Sequence, residues 1–295
     1  MLIRKGSKEK ALIKEIQVVI GVKPDGDFGP NTEKAVMAWQ RKNNLVADGI
    51  VGTKTLDMMG IADTDVSGQF FETENGLVIQ RHYLPKNEYI KGPIENHYLF
   101  IHHTAGWNKP GPVIDSWGRD SRGQVATEFV VGGQKITDND AKYDGQVLQA
   151  FPEGCQGWHL GGVGSDFLRR HSVGIEICNF GYLKNGKTYV GTTPAKEQIC
   201  TLDEAFRGFT QWHKYSDAQI EATRKLIEFI AERDNIDVRE GLPDWIRKHG
   251  PNKAFEFRED AYNGKVKGLL THTNVRKDKF DCFPQAELID MLLSI

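Results

Sequence analysis

The 295-residue sequence holds only four cysteines, Cys155, Cys178, Cys200 and Cys282, and none are spaced as a CxxC pair. They are too few and too scattered for a disulfide scaffold or a CxxC zinc module, and they suit reduced thiols in a chain folded in the cytosol. Long apolar runs are missing at the start. The opening stretch MLIRKGSKEKALIKEIQVVIG carries charge throughout, so neither a secretory signal peptide nor a membrane span is expected there. A chain of this kind that acts outside the cytoplasm needs another route out. An excess of one charge is missing too. Lys+Arg number 38 against 40 Asp+Glu, a formal net charge of -2, which argues against nucleic acid as the main partner. Charged residues at 26%, hydrophobic residues at 39% and a mean hydropathy of -0.48 exclude disordered, collagen-like and coiled-coil classes. What remains is a soluble globular protein with a real core, in one large domain or two ordinary ones, expected to act as a monomer.

The charge is unevenly spread. Residues 1–60 carry a net +3 and the remainder a net -5, which hints at two units. The first unit contains a repeat. Asp25-Gly26-Asp27-Phe28-Gly29-Pro30-Asn31-Thr32 matches Asp48-Gly49-Ile50-Val51-Gly52-Thr53-Lys54-Thr55 as DGxxGxxT, 23 residues apart. Asp-Gly supplies a turn, and the polar residue after the second Gly is expected to cap the following helix. Ala35, Val36 and Trp39 recur at helical spacing, as do Leu12, Ile16 and Val19, and a short third helix is expected around Leu56 and Met59. Three small helices around Ile16, Val36, Trp39 and Leu45 make a bundle near the lower size limit for independent folding. Taken singly, Phe28, Trp39 and the glycines serve to build it.

This segment, on Ile16-Gln17, the two DGxxGxxT copies, Ala35-Val36, Trp39-Gln40 and Leu45, resembles the peptidoglycan-binding domain 1 family. The resemblance implies a non-catalytic wall-anchoring module over residues 1–62. Residues 63–76 are polar apart from Phe70-Phe71 and read as a linker.

Residues 77–295 give mixed signals. Short apolar or alternating runs at 98–101, 128–131, 145–151, 172–178 and 268–271 read as strands. A helix begins after Ser216-Asp217, with Ile220, Ile227 and Ile230 on one face and Leu226 beside them. Strands interspersed with helices indicate an α/β or α+β sheet covered by helices. Three histidine positions lie at strand ends or in a glycine-rich loop: His102-His103, His272, and His159 within Gly157-Trp158-His159-Leu160-Gly161-Gly162. Zinc hydrolases use three ligands from His, Asp/Glu or Cys and leave a position for water. His102, His272 and Asp281 form such a set if their strands are neighbours, with Cys282 adjacent. A structural or surface role is the commoner fate of any single histidine. His102 and His103 cannot both face one site, because successive strand residues point opposite ways. Glu176 interrupts the apolar run 173–177. It reads either as a solvent-facing strand residue or as a carboxylate facing a cleft as general base.

Together, Phe100-Ile101-His102-His103-Thr104-Ala105-Gly106, Phe129-Val130-Val131-Gly132-Gly133, Trp158-His159-Leu160-Gly161, Ser172-Val173-Gly174-Ile175-Glu176 and Thr271-His272 resemble the type 2 N-acetylmuramoyl-L-alanine amidase family. That family includes phage amidase lysozymes, cytosolic muropeptide amidases and peptidoglycan recognition proteins. The resemblance implies a mixed α/β sheet flanked by helices and zinc held by His102, His272 and Asp281. Asp281 is preferred to Cys282 because the family pattern places a Lys two residues before the third ligand, here Lys279. It implies Glu176 as the acid/base and Lys279 as a charge partner for the reacting carbonyl. Substrate contacts fall on His159, Trp158 and Thr104, although His159 fits a structural loop role equally well. Another branch of the family has a catalytic Tyr where this chain has Thr127. The segments near 134–145, 182–213 and 234–266 exceed a minimal family core, and Trp212 and Trp245 within the last two read as packing residues. The expected activity is hydrolysis of the amide between the lactyl group of muramic acid and L-alanine, with bacterial peptidoglycan as partner, in a phage endolysin that waits in the cytosol. The alternatives are a catalytically silent wall-recognition protein, a bacterial autolysin, or a muropeptide-recycling amidase. The anchor module argues against the last.

Overall fold

Each copy of the DGxxGxxT repeat folds around a buried glutamine. In the computed structural model, which describes residues 3–61, 68–92 and 94–295, the Gln17 side-chain amide donates to Asp25 Oδ1 (2.8 Å), the Asp27 carbonyl (2.9 Å) and Thr32 Oγ1 (3.1 Å). Its Oε1 accepts from the Gly26 amide (2.8 Å). Twenty-three residues on, Gln40 repeats the pattern with Asp48, the Ile50 carbonyl and the Gly49 amide. Gly26 and Gly49 have φ of +79° and +74°, a left-handed turn that disfavours any side chain. Helix α1 (Lys10–Val19) precedes the first turn, α2 (Pro30–Lys42) follows it, and α3 (Thr53–Met58) follows the second. Their shared core holds Ile13, Ile16, Phe28, Val36 and Leu56, with Trp39 packed against it.

Three details differ from the sequence reading. Thr32 does not cap α2, which starts at Pro30 behind Gly29 with no side-chain cap; its hydroxyl donates instead to the Asp27 carbonyl. Val19 is 38% exposed, because the buried stripe of α1 runs through Leu12, Ile13 and Ile16. Leu45 is only half-buried and lies outside the core cluster.

Of the expected linker, residues 63–67 lie outside the described residues. The rest includes β1 (Phe70–Glu72), which pairs antiparallel with β2 (Val78–Arg81), so the large sheet begins inside that segment. The remaining elements, in chain order, are β3 (Tyr98–His103), α4 (Pro110–Trp117), β4 (Phe129–Val131), β5 (Val147–Gln149), α5 (Asp166–Arg170) and β6 (Ser172–Ile177). Then come β7 (Ile199–Phe206), β8 (Phe209–His213), α6 (Asp217–Asp234), α7 (Leu242–His249), α8 (Pro251–Ala254), α9 (Glu259–Tyr262), β9 (Gly268–Thr271), α10 (His272–Val275) and α11 (Ala286–Ser294). The seven-stranded sheet has the order β1-β2-β5-β4-β6-β3-β9. Its centre, β4-β6-β3-β9, is parallel. Strands buried on both faces read as continuous apolar runs, which is why these segments stand out in the sequence. β7 and β8 form a separate antiparallel hairpin.

Helix α6 begins with a capping box, the Ser216 hydroxyl accepting from the Gln219 amide while the Gln219 side chain accepts from the Ser216 amide. It buries Ile220, Leu226, Ile227 and Ile230 in the cluster that also holds Val173, Ile175 and Ile177 of β6. At about 1.5–3 kcal/mol per fully buried aliphatic side chain, these contacts dominate the attachment of α6 to the sheet. On the other face, α4 contributes Ile114 to a cluster with Val130, Leu148 and Cys178. Trp212 and Trp245 are buried, as expected of packing residues.

Candidate functional site

Parallel pairing brings the carboxyl ends of the central strands to one edge, where α/β sheets place their ligands. In the register, His102 of β3 is opposite Glu176 of β6, and Ile101 is opposite Thr271 of β9. His272 follows Thr271 directly, so it emerges level with His102. The chain returns after α10, and the Thr273 amide donates to the Asp281 carbonyl (3.1 Å), which fixes Asp281 beside both imidazoles.

His102 Nδ1, His272 Nδ1 and Asp281 Oδ2 form a nearly equilateral triangle, with edges of 3.2, 3.1 and 3.1 Å. All three residues are buried. The far nitrogens fix the protons. His272 Nε2 faces the Leu160 carbonyl (3.2 Å), which only accepts, so Nε2 carries the hydrogen and Nδ1 is bare. His102 Nε2 faces His159 Nδ1 (2.9 Å), and His159 Nε2 faces the Ser172 carbonyl (3.3 Å) and hydroxyl (3.0 Å). Read back from that carbonyl, His159 donates through Nε2 and accepts through Nδ1, and His102 Nδ1 is also bare. Burial holds His102 neutral, lowering its pKa to about 4, and holds His159 well below the usual imidazole range. With the far nitrogens donating, both Nδ1 lone pairs turn toward Asp281 Oδ2, an arrangement that a cation at the centre of the triangle would satisfy. Tetrahedral zinc, with Zn–N bonds of about 2.0–2.1 Å, sets its ligand atoms about 3.3 Å apart. The group can hold a divalent metal.

Cys282 does not join it. Its thiol is fully buried against Tyr215, and burial pushes its pKa well up. His103 likewise turns away, its Nδ1 meeting the Tyr215 hydroxyl at 2.7 Å.

A cleft of about 590 Å³ opens over the triangle, lined by Trp158, His159, Glu176, Lys279 and the three donors. Glu176 makes no hydrogen bond among the described residues. Burial, then the Asp281 charge, push its carboxyl well above the usual range, and Lys279 opposes them. Trp158 carries the Arg169 guanidinium 4.5 Å above its ring. Thr104 is tied to Asn179 and, with Trp117 and Glu176, also lines a second, adjoining cleft. Thr127 is buried, with its hydroxyl on the Phe129 carbonyl at 3.0 Å.

One role of an expected residue, and one residue, escaped the sequence reading. His159 touches His102 itself as well as lining the cleft. Gly174 makes room for that contact, since a Cβ there would sit 2.7 Å from Thr127 Cγ2 and 3.1 Å from His159 Nδ1. A glycine inside a β-branched strand was the available signal of a close approach.

Residues 13–59 match a family described as a putative peptidoglycan binding domain, and residues 91–265 match N-acetylmuramoyl-L-alanine amidase. The second match stops short of β9, so His272 and Asp281 enter through the geometry alone. No curated protein matches the chain. Similar solved structures include a selenomethionine derivative of AmpD (14% identity, TM-score 0.38, 72% of this chain and 92% of that one). PlyL is 13% identical, with a TM-score of 0.36 over 67% of this chain and 84% of its own. The endolysin amidase LysCS from Clostridium intestinale URNW is 15% identical, with a TM-score of 0.34 over 65% and 78%. The amidase match spans more than half of the sequence, and the chain therefore belongs to the N-acetylmuramoyl-L-alanine amidase family, behind an N-terminal putative peptidoglycan-binding domain.

Proposed function

We propose that the chain is a zinc-dependent peptidoglycan amidase of the phage endolysin type, cutting between the lactyl group of N-acetylmuramic acid and L-alanine. The observation that carries this reading is the triangle of bare donors at His102, His272 and Asp281 beside an unpartnered Glu176. Zinc held by those three residues would supply Lewis acidity, polarising the scissile carbonyl and lowering the pKa of a water toward ~7. Glu176 takes the proton from the attacking water and delivers it to the leaving L-alanine nitrogen. A carboxyl with a raised pKa suits both halves of that transfer. Lys279, on the cleft wall, offsets the negative charge that develops on the carbonyl oxygen. His159 holds the His102 ring in the tautomer that presents Nδ1. Trp158 and Thr104 bound the groove that receives the substrate.

The N-terminal module holds the enzyme on the polymer, which favours a lysin over a muropeptide-recycling enzyme. No helix among the described residues is long and apolar enough to cross a membrane. Release to the wall by a separate lysis factor belongs to this proposal. The test is Glu176→Gln, which should bind zinc at wild-type stoichiometry and lose about 10²–10⁴-fold in turnover. Full activity in that variant would move the base elsewhere.

A further inference from the structure

Beyond the triangle, the groove continues into the second cleft, of about 840 Å³, which shares Thr104, Trp117 and Glu176 with the first. Its far wall is built from two loops. One, after β3, carries Trp107, Asn108 and Lys109. The other, between β4 and β5, carries Lys135, Asp140, Lys142 and Tyr143. The second loop is part of the 134–145 segment, which a minimal family core does not need.

These loops are locked together. Asn108 is buried; its carbonyl accepts from the Gly133 amide (3.0 Å) and its side-chain amide donates to the Gly133 carbonyl (3.3 Å). A Cβ at Gly132 would sit 2.2 Å from the Tyr143 carbonyl, so glycine there lets the second loop fold back onto β4. Buried Gln198, just before β7, braces the loop from behind through Gln134 (2.5 Å) and Asn139 (2.9 Å). That gives the 182–213 segment a purpose beyond the fold.

The charges on this wall are only partly paired. Lys135 pairs with Asp138, and Asp140 caps the Lys142 amide (3.1 Å). Lys109 and Lys142 have no carboxylate partner among the described residues. Both ammonium groups lie over the Tyr143 ring, 5.6 and 5.4 Å from its centre. Two cations gathered at one aromatic ring repel each other and present a local positive potential that an anion would relieve. Peptide stems of peptidoglycan carry carboxylates, and a stem cut at its muramoyl end would run along this groove.

We infer that Lys109 and Lys142, gathered at Tyr143, form a subsite for a carboxylate of the stem peptide and set a preference for acidic over amidated stems. This rests on the amidase reading. The preorganised loops mean that little ordering is needed on binding. Both lysines are exposed, so the preference is modest and weakens with salt.

The test uses the full-length zinc-loaded protein and two soluble substrates, a muramoyl peptide with free stem carboxylates and the same compound with them amidated. Wild type should favour the acid by about three- to tenfold in kcat/KM, carried by KM. The ratio should fall toward one in Lys109→Met/Lys142→Met and at high salt, and return in Lys109→Arg/Lys142→Arg. An unchanged ratio in the Met double variant, with both substrates still cut, overturns the subsite and leaves the amidase reading standing. If no protein, wild type included, cuts either substrate, the amidase reading fails instead.

Discussion

Gly174→Ala probes how the site is held. A methyl at that position would lie 2.7 Å from Thr127 Cγ2 and 3.1 Å from both Thr127 Cβ and His159 Nδ1. Thr127 cannot yield, because it is buried and its hydroxyl is committed to the Phe129 carbonyl. His159 must move, and it moves off His102 Nε2. Overpacking of this kind costs about 1–3 kcal/mol. For a domain of this size each kcal/mol lowers the melting temperature by about 2–4 °C. Losing the hydrogen bond that orients a metal-binding histidine costs about 10–100-fold in metal affinity. The assay is a zinc titration against a chromophoric chelator, run beside thermal melts. Ile175→Val is the control. It lies on the opposite face of β6, costs about 0.5–1.5 kcal/mol, and should leave zinc affinity unchanged. A Gly174→Ala protein that melts lower yet binds zinc as tightly as wild type would refute the role given to His159.

Asp281→Ala should lose stoichiometric zinc, whereas Cys282→Ala should retain it and lose only packing stability; metal analysis of the two purified variants distinguishes them. Gln40→Ala removes the centre of the second repeat turn and leaves the buried Gly49 amide unpaired, at a cost of about 1–3 kcal/mol. Hydrogen exchange in the full chain should then accelerate across residues 3–61 and nowhere else. His213 is buried and neutral, accepting from the Phe180 amide (3.0 Å), and burial lowers its pKa to about 3. The unfolded chain protonates this imidazole near pH 6.5 and the folded one does not. Its contribution is therefore complete above about 6.5 and falls as pH drops toward 3, by about 1.4 kcal/mol per pH unit. Acid denaturation of His213→Gln should be shallower by that one proton.

The central parallel strands were legible because both of their faces are buried. Helix α6 was legible because its cap and apolar face agree. The strands that went unseen are those with weaker constraints. β1 and β2 are short, and β1 is the edge strand, where Phe70 is 63% exposed. β7 is largely solvated along its length, so little apolar periodicity marks it. Val19 was misplaced because α1 is wide enough to bury Leu12 and Ile13 side by side, and the inward stripe then passes Val19 by. His102 and His272 stood out as polar residues at the ends of apolar strands, whereas Asp281, in the loop between α10 and α11, was singled out by the family resemblance. The contact of His159 with His102 spans 57 residues, and although Gly174 inside its strand signals a close approach, no local pattern names His159 as the group that approaches.

The most direct measurement is the identity of the bond that breaks. Purified sacculi digested with the zinc-loaded protein, then labelled at new amino termini and analysed by mass spectrometry, should yield stem peptides beginning with free L-alanine, and a chelator should stop their appearance. Products with cut glycan bonds and intact muramoyl–alanine links would contradict the account.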